Sequence, residues 1–286
     1  MTTPFPHPLI LDPLLIQWLQ EDWGRGDRAT QALFGRDTPL AQGTFLLKEA
    51  GVIAGLPLIE RIYHLIDQRV ECHLKVSEGT TCPARTVVAV VEGPAQALLM
   101  GERVTLNLLQ HLSGVATMTR RYVERLAGSK TCLVDTRKTT PGLRLLEKYA
   151  VSVGGGLNHR FGLDDAAMIK DNHILAAGSI TEAVKRVRAQ IPFLAPIEVE
   201  TETLDQVQEA LNCGVQVIML DNMTAPLMEE AVKLIAGHAH TEASGGITLE
   251  TLETVAATGV DYISTSATIT RAPWLDISLD FRTTAL

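Results

Sequence analysis

Apolar and polar positions alternate in two different ways along this chain, and the change falls near residue 130. Before it, the runs 43–48, 70–76 and 85–91 are rich in β-branched and alternating residues and predict strands. A helical period at 58–66 separates the first two runs, and a long apolar-periodic stretch at 95–126 predicts one or two helices. Gly51, Gly79 and Gly93-Pro94 read as turn signals. This half is α+β, without repeats, low complexity or a Ser/Gly-rich linker.

After residue 130 the order becomes strand, polar residue, helix, repeated. The short apolar runs are 131–134, 166–169, 197–199, 216–220, 240–243 and 262–263, with helical patterns at 181–190, 204–213, 225–236 and 249–257. Such alternation predicts right-handed βαβ units and a parallel sheet, and six or seven units fit a barrel, complete or incomplete. Each apolar run is followed at once by polar residues: Asp135-Thr136-Arg137-Lys138, Lys170-Asp171-Asn172, Glu200, Asp221-Asn222, Ser244-Gly245-Gly246 and Ser264-Thr265-Ser266. One such residue is ordinary turn chemistry. Six in succession predict an active site at the carboxyl ends of the strands, where a parallel barrel gathers them. Asp164-Asp165 and the segment 238–240 read as surface turns.

Composition narrows the chemistry. The apolar fraction is 46% and the charged fraction 20%, as in a globular chain. The 25 Lys and Arg against 33 Asp and Glu give a net charge of −8, a poor balance for non-specific binding of nucleic acid or anionic membrane. Any anion site must therefore be a local basic pocket. The first Lys or Arg is Arg25, so no basic segment precedes an apolar stretch, and no signal peptide is expected. Cys72, Cys82, Cys132 and Cys213 are widely spaced, which predicts buried free thiols in a reducing cytoplasm, with neither structural zinc nor a disulfide framework.

Three strings point to anions. The first, Asp135-Thr136-Arg137-Lys138-Thr139-Thr140-Pro141-Gly142-Leu143-Arg144, pairs cations and hydroxyls with a Pro-Gly helix start, although a solvated loop has the same composition. The second, Gly154-Gly155-Gly156-Leu157-Asn158-His159-Arg160, permits positive φ and close backbone approach. The third, Glu242-Ala243-Ser244-Gly245-Gly246-Ile247-Thr248, follows the penultimate strand, where such barrels often hold phosphate. Glu200 and Asp221 face this basic pocket, either as a Mg²⁺ clamp, as stabilisers of a developing cation, or as charge balance for Lys138, Lys170 and Arg160. No nucleophile elbow, Walker loop or Rossmann fingerprint is present.

These strings, together with Glu21-Asp22-Trp23-Gly24-Arg25-Gly26-Asp27, Glu102-Arg103-Val104-Thr105-Leu106-Asn107, Ile169-Lys170-Asp171-Asn172-His173, Glu198-Val199-Glu200 and Met219-Leu220-Asp221-Asn222, resemble the quinolinate phosphoribosyltransferase family from about residue 12 onward. The Thr-Arg-Lys-Thr-Thr-Pro-Gly string is the most specific. The resemblance implies an α/β fold: an incomplete, TIM-like α/β barrel over residues 114–270 with an N-terminal α+β sandwich domain over 1–113, rejoined by 271–286. It implies a homodimer or homohexamer in which Arg103 serves the partner's site. It also implies the reaction of quinolinate with phosphoribosyl pyrophosphate, giving nicotinate mononucleotide, pyrophosphate and CO₂ with Mg²⁺ and no organic cofactor. Arg103, Arg137, His159, Arg160 and Lys170 would then meet the quinolinate carboxylates, with Lys138 serving either substrate. Lys138, Lys170, Glu200 and Asp221 would be catalytic, Glu200 and Asp221 also metal-binding, and Ser244, Gly245, Gly246 and Ser266 would hold phosphate. Ser266 stands where the family usually has glycine. Two rivals remain open at this stage: a relative using another heterocyclic acceptor, and a non-catalytic sensor of a phosphate ligand.

Overall fold

The computed structural model describes residues 4–34 and 38–283. They divide into two compact units, one of Met1–Met118, Gly142–Gly155 and Ala272–Leu286, the other of Thr119–Pro141 and Gly156–Arg271. The elements run α1 (Pro8–Trp23), α2 (Arg28–Phe34), β1 (Leu40–Leu47), β2 (Gly51–Val52), α3 (Leu56–Ile66), β3 (Glu71–Leu74), β4 (Thr81–Cys82), β5 (Val87–Pro94) and α4 (Ala95–Arg125). Then come β6 (Cys132–Val134), α5 (Arg144–Gly154), β7 (Ala167–Ile169), α6 (Asp171–Ala177), α7 (Ile180–Arg188), β8 (Ile197–Thr201) and α8 (Leu204–Asn212). The last are β9 (Val217–Asp221), α9 (Ala225–Ile235), β10 (His240–Ser244), α10 (Leu252–Ala256), β11 (Tyr262–Ser264), α11 (Ala267–Thr270) and β12 (Ile277–Thr283).

In the first unit an antiparallel sheet has the order β12-β1-β5-β3, so the last described strand returns to pair with the first. Alternation along β1 buries Ala41, Phe45 and Leu47 on one face, where they meet Ile59 and Tyr63 of α3 and Leu98 and Leu109 of α4. Each such side chain contributes roughly 1.5–3 kcal/mol of apolar burial. The stretch 95–126 forms one helix. Gly93-Pro94 is not a turn: both residues stay in the ladder opposite Ala41 and Leu40, where a Cβ on Gly93 would lie 3.0 Å from the Val70 backbone. Close packing, not chain reversal, explains that glycine.

The second unit is a parallel sheet of six strands in the order β6-β11-β10-β9-β8-β7. The first strand in the chain lies beside the last, and the others follow in sequence. That cyclic order belongs to a sheet curled on itself. Strands β6 and β7 do not pair with each other, so the barrel is incomplete. Register sorts the faces. Leu133, Ile169, Val199, Leu220, Ala243 and Ile263 are at most 3% exposed and form the apolar outer layer under the helices. Glu198, Glu200, Met219, Asp221, Glu242 and Ser244 share the opposite, concave face. Helix starts follow their caps: the Ser179 side chain accepts from Glu182 N, and Thr203 forms a capping box with Gln206.

Two further expectations change. The glycine triplet is a helix end: Gly154 closes α5, and Gly155 caps it with φ +100°. The thiols are all free, but only Cys82 is buried and Cys132 is exposed. Asp164 and Asp165 lie in an exposed turn, whereas His240 opens β10 opposite Val217. No described helix is long and apolar enough to cross a membrane.

Candidate active site

The carboxyl ends of the barrel strands are joined by buried acids. Asp135, fully buried just after β6, accepts the Asn158 side-chain amide at 2.7 Å and the His159 backbone N–H at 2.8 Å. It thereby ties the loop carrying Arg137 and Lys138 to the segment carrying His159 and Arg160. The Thr136 hydroxyl tightens that loop by accepting Lys138 N–H at 3.0 Å.

His159 Nε2 lies 3.1 Å from Glu198 and 3.3 Å from Glu242. These acids stand on β8 and β10, with β9 between them, so only the concave side lets both reach one atom. Burial alone would lower the imidazole pKa, but the two carboxylates outweigh it and push the group up to about 10. Burial, the larger influence, also raises Glu198 against the pull of His159. Nδ1 accepts the Arg160 backbone N–H at 2.8 Å, so the ring keeps its lone pair there and the proton that the cluster retains is shared between Nε2 and the two carboxylates. The donor atoms of the three side chains lie within 4.8 Å of one another, a spacing that a metal would also suit. Here they meet as an acid–base cluster in which one oxygen of each acid, Glu198 Oε1 and Glu242 Oε1, is buried without a hydrogen-bond partner.

Lys170, at the N-cap of α6, places its ammonium 2.5 Å from Glu200. Its backbone N–H donates to His173 Nδ1 at 3.0 Å, which starts this short helix directly at the strand end. Burial first, and then the charge of Glu200, raise the Asp221 pKa. The Asn222 side chain donates to Asp221 at 2.7 Å, and its backbone N–H donates to Ser244 O at 2.9 Å with φ +52°. Gly245 follows at φ +93°, and any Cβ there would strike the Asn222 amide oxygen. Glu200 and Asp221 are hard oxygen donors, and burial and a neighbouring charge raise the pKa of Asp221. That donor set fits a hard divalent cation.

Two of the cavities in the barrel unit are lined by expected site residues. One, of about 440 Å³, is lined by Arg137, Arg160 and Lys170 against Met168, Ile169 and Leu163. The other, of about 140 Å³, is lined by Lys138, Ser244, Gly245, Gly246 and Ser266. Of the expected site residues, Arg137, Arg160 and Lys170 thus line a cationic, apolar-walled slot and Lys138, Ser244, Gly245, Gly246 and Ser266 a hydroxyl- and amide-lined pocket, while Glu200 and Asp221 line neither. Arg103 is exposed on α4, in the other unit, 3.9 Å from Glu102. His159 has both ring nitrogens committed within the cluster. Sequence reasoning did not select Glu198 and Glu242. The strand period marks them, because each sits two residues before a selected one, Glu200 and Ser244, on the same face.

Basic side chains and backbone amides gathered at the strand ends of a parallel barrel define an α/β-barrel protein suited to anionic ligands. Sequence models of the N-terminal and C-terminal domains of quinolinate phosphoribosyl transferase match residues 27–113 and 115–280. The chain belongs to the quinolinate phosphoribosyltransferase family. It is 54% identical over 280 residues, 97% of its length and 94% of the other's, to a probable carboxylating nicotinate-nucleotide pyrophosphorylase of Synechocystis sp.. A probable enzyme of the same name from Bacillus subtilis is 47% identical over 95% of this chain and 93% of its own. The crystal structure of NadC from Streptococcus pyogenes superposes with TM-score 0.94 at 42% identity, covering 99% of this chain and all of that one.

Proposed function

We propose that this chain transfers the phosphoribosyl group of phosphoribosyl pyrophosphate to quinolinate with decarboxylation, yielding nicotinate mononucleotide, pyrophosphate and CO₂ for NAD synthesis. The observation that carries this reading is the slot in which Arg137, Arg160 and Lys170 converge on apolar walls. Its charge and lining suit a flat aromatic dicarboxylate. Two like charges about 4 Å apart repel by roughly 4 kcal/mol at an effective dielectric of 20, so substrates this anionic need such a rim.

Arg137, Arg160 and Lys170 bind the quinolinate carboxylates, and His159 acts by fixing the Arg160 backbone. Lys170 leaves Glu200 as the dianion enters. The pyridine nitrogen attacks the anomeric carbon as the C–O bond to pyrophosphate breaks. Glu200 and Asp221 stabilise the positive ribose ring and would hold Mg²⁺, which supplies charge neutralisation for the departing pyrophosphate. The carboxyl beside the quaternised nitrogen then leaves as CO₂, its electron pair passing to the ring carbon, which takes a proton. No protein nucleophile takes part, and catalysis is positioning and electrostatics.

The reading predicts pyrophosphate and CO₂ release with quinolinate and at least about 100-fold lower turnover with nicotinate, which leaves part of the cationic rim unpaired. Equal use of nicotinate would favour another acceptor; tight ligand binding without turnover would favour a sensor. Arg103, being exposed, is assigned to a neighbouring subunit's slot in a homodimer or hexamer. Mixing inactive Arg103→Ala and Arg137→Ala subunits is then expected to restore part of the activity, and a mixture as inactive as its components would refute the sharing. A cytoplasmic location is the reading that the free thiols support.

A further inference from the structure

The string Glu21-Asp22-Trp23-Gly24-Arg25-Gly26-Asp27 is a motif that the barrel chemistry leaves unused. In the structure it is a corner between two helices. Trp23 ends α1, and the chain then turns through Gly24 and Gly26, both at positive φ (+52° and +114°), with the Gly26 N–H donating to Trp23 O at 2.8 Å. Asp27 starts α2 by accepting the Thr30 backbone N–H at 3.1 Å and the Thr30 hydroxyl.

The Trp23 indole fastens this corner to α4. Its N–H donates to Met100 O at 2.9 Å, across 77 residues of chain. That carbonyl lies inside a helix, where its ladder donor is the N–H four residues on, so the indole takes the second lone pair. The indole also borders a cavity of about 270 Å³, shared with Ile66, Pro94, Ala97 and Met100. Atoms facing a void lose packing contacts on that side, so the hydrogen bond carries more of the ring's placement. Met100 and Arg103 stand three residues apart, on one face of α4. Helical side chains lean toward the N-terminus, so the Arg103 stem leaves over the turn to which the indole is tied. Its guanidinium lies 3.9 Å from Glu102, beyond hydrogen-bond reach. The aim of Arg103 is therefore set by that helical turn rather than by an ion pair.

We propose that Trp23 is a positioning residue, which acts through the Met100 carbonyl on the turn of α4 that presents Arg103 to a neighbouring subunit's slot. This role rests on the phosphoribosyl-transfer reading and on the sharing of Arg103. It is tested in the full-length enzyme with Trp23→Phe, which keeps an aromatic ring and removes the N–H. Quinolinate binding by calorimetry and KM for quinolinate are each expected to weaken by about 3- to 10-fold. KM for phosphoribosyl pyrophosphate should stay within about two-fold. Combined with Arg103→Ala, Trp23→Phe should add no further loss, because the group that it positions is already gone. The mixed-subunit assay shows which subunit's site is served. Trp23→Phe in the Arg137→Ala subunit, which lends Arg103, should lower the restored activity by about 3- to 10-fold. In the Arg103→Ala subunit the same change should leave it within about two-fold. Losses that multiply in the double variant, equal losses in the two mixed arrangements, or unchanged quinolinate binding would overturn the proposal. A parent mixture that restores no activity would strike the sharing, while the double variant still reads the coupling of Trp23 to Arg103. Absence of wild-type turnover would strike the phosphoribosyl-transfer reading, because quinolinate binding is read without turnover.

Discussion

Replacing Arg137 with alanine is expected to lower kcat/KM for quinolinate by on the order of 10²- to 10³-fold while leaving the fold intact. The reason is visible in the free protein. Burial lowers the pKa of Arg160, and the nearby positive charge of Arg137 lowers it further. Two like charges are thus held together in one slot before any ligand arrives, with Arg160 fixed by its bond to Ala166 O at 2.8 Å. A dicarboxylate relieves that repulsion and gains two charge-assisted hydrogen-bond pairs. Removing Arg137 takes away one of the three cations of the clamp but also relieves the repulsion, so Tm should hold or rise slightly. Steady-state kinetics with a melting curve check both halves, and activity within about three-fold of wild type would defeat the clamp.

The second large effect is on stability. Glu242→Ala is expected to lower the unfolding free energy of the barrel unit by about 3–5 kcal/mol, because it breaks a buried charge cluster from one side. Glu242 is 3% exposed, and solvent has little access to replace it. The pH dependence follows from the same cluster. His159 is raised from its ordinary range to about 10, so the folded state holds a proton that the unfolded chain releases earlier. The resulting stabilisation is complete below about pH 6.5 and is lost as the pH rises through about 10. Glu242→Gln should flatten that slope, as chemical denaturation across pH 6–10 would show. A variant that keeps wild-type stability and slope would place the shared proton elsewhere.

Much of this was legible in the residues. The period-two and period-3.6 runs marked the barrel strands and the helices between them, and the polar residue after each strand marked the rim. What the chain order hid were contacts set only by curvature. Glu198 and Glu242 read as ordinary strand acids until β8 and β10 bend toward a common imidazole. The short helix α6 was missed because its start depends on Lys170 and His173 meeting. Gly93-Pro94 misled because close approach to Val70 and a tight turn call for the same residue type. The glycine triplet misled in the same way, since a helix cap and an anion cradle both demand positive φ.

The wet chemistry at the centre of this barrel has a consequence for engineering. Parallel barrels are ordinarily plugged by stacked aliphatic side chains, and exchanging a buried ionic group for well-packed hydrocarbon often hardens a protein. Doing so at Glu198, His159 and Glu242 would cut the tether to the Arg160 amide. A heat-tolerant version made by that route would lose its grip on the acceptor, so its extra robustness has to come from the helical shell instead.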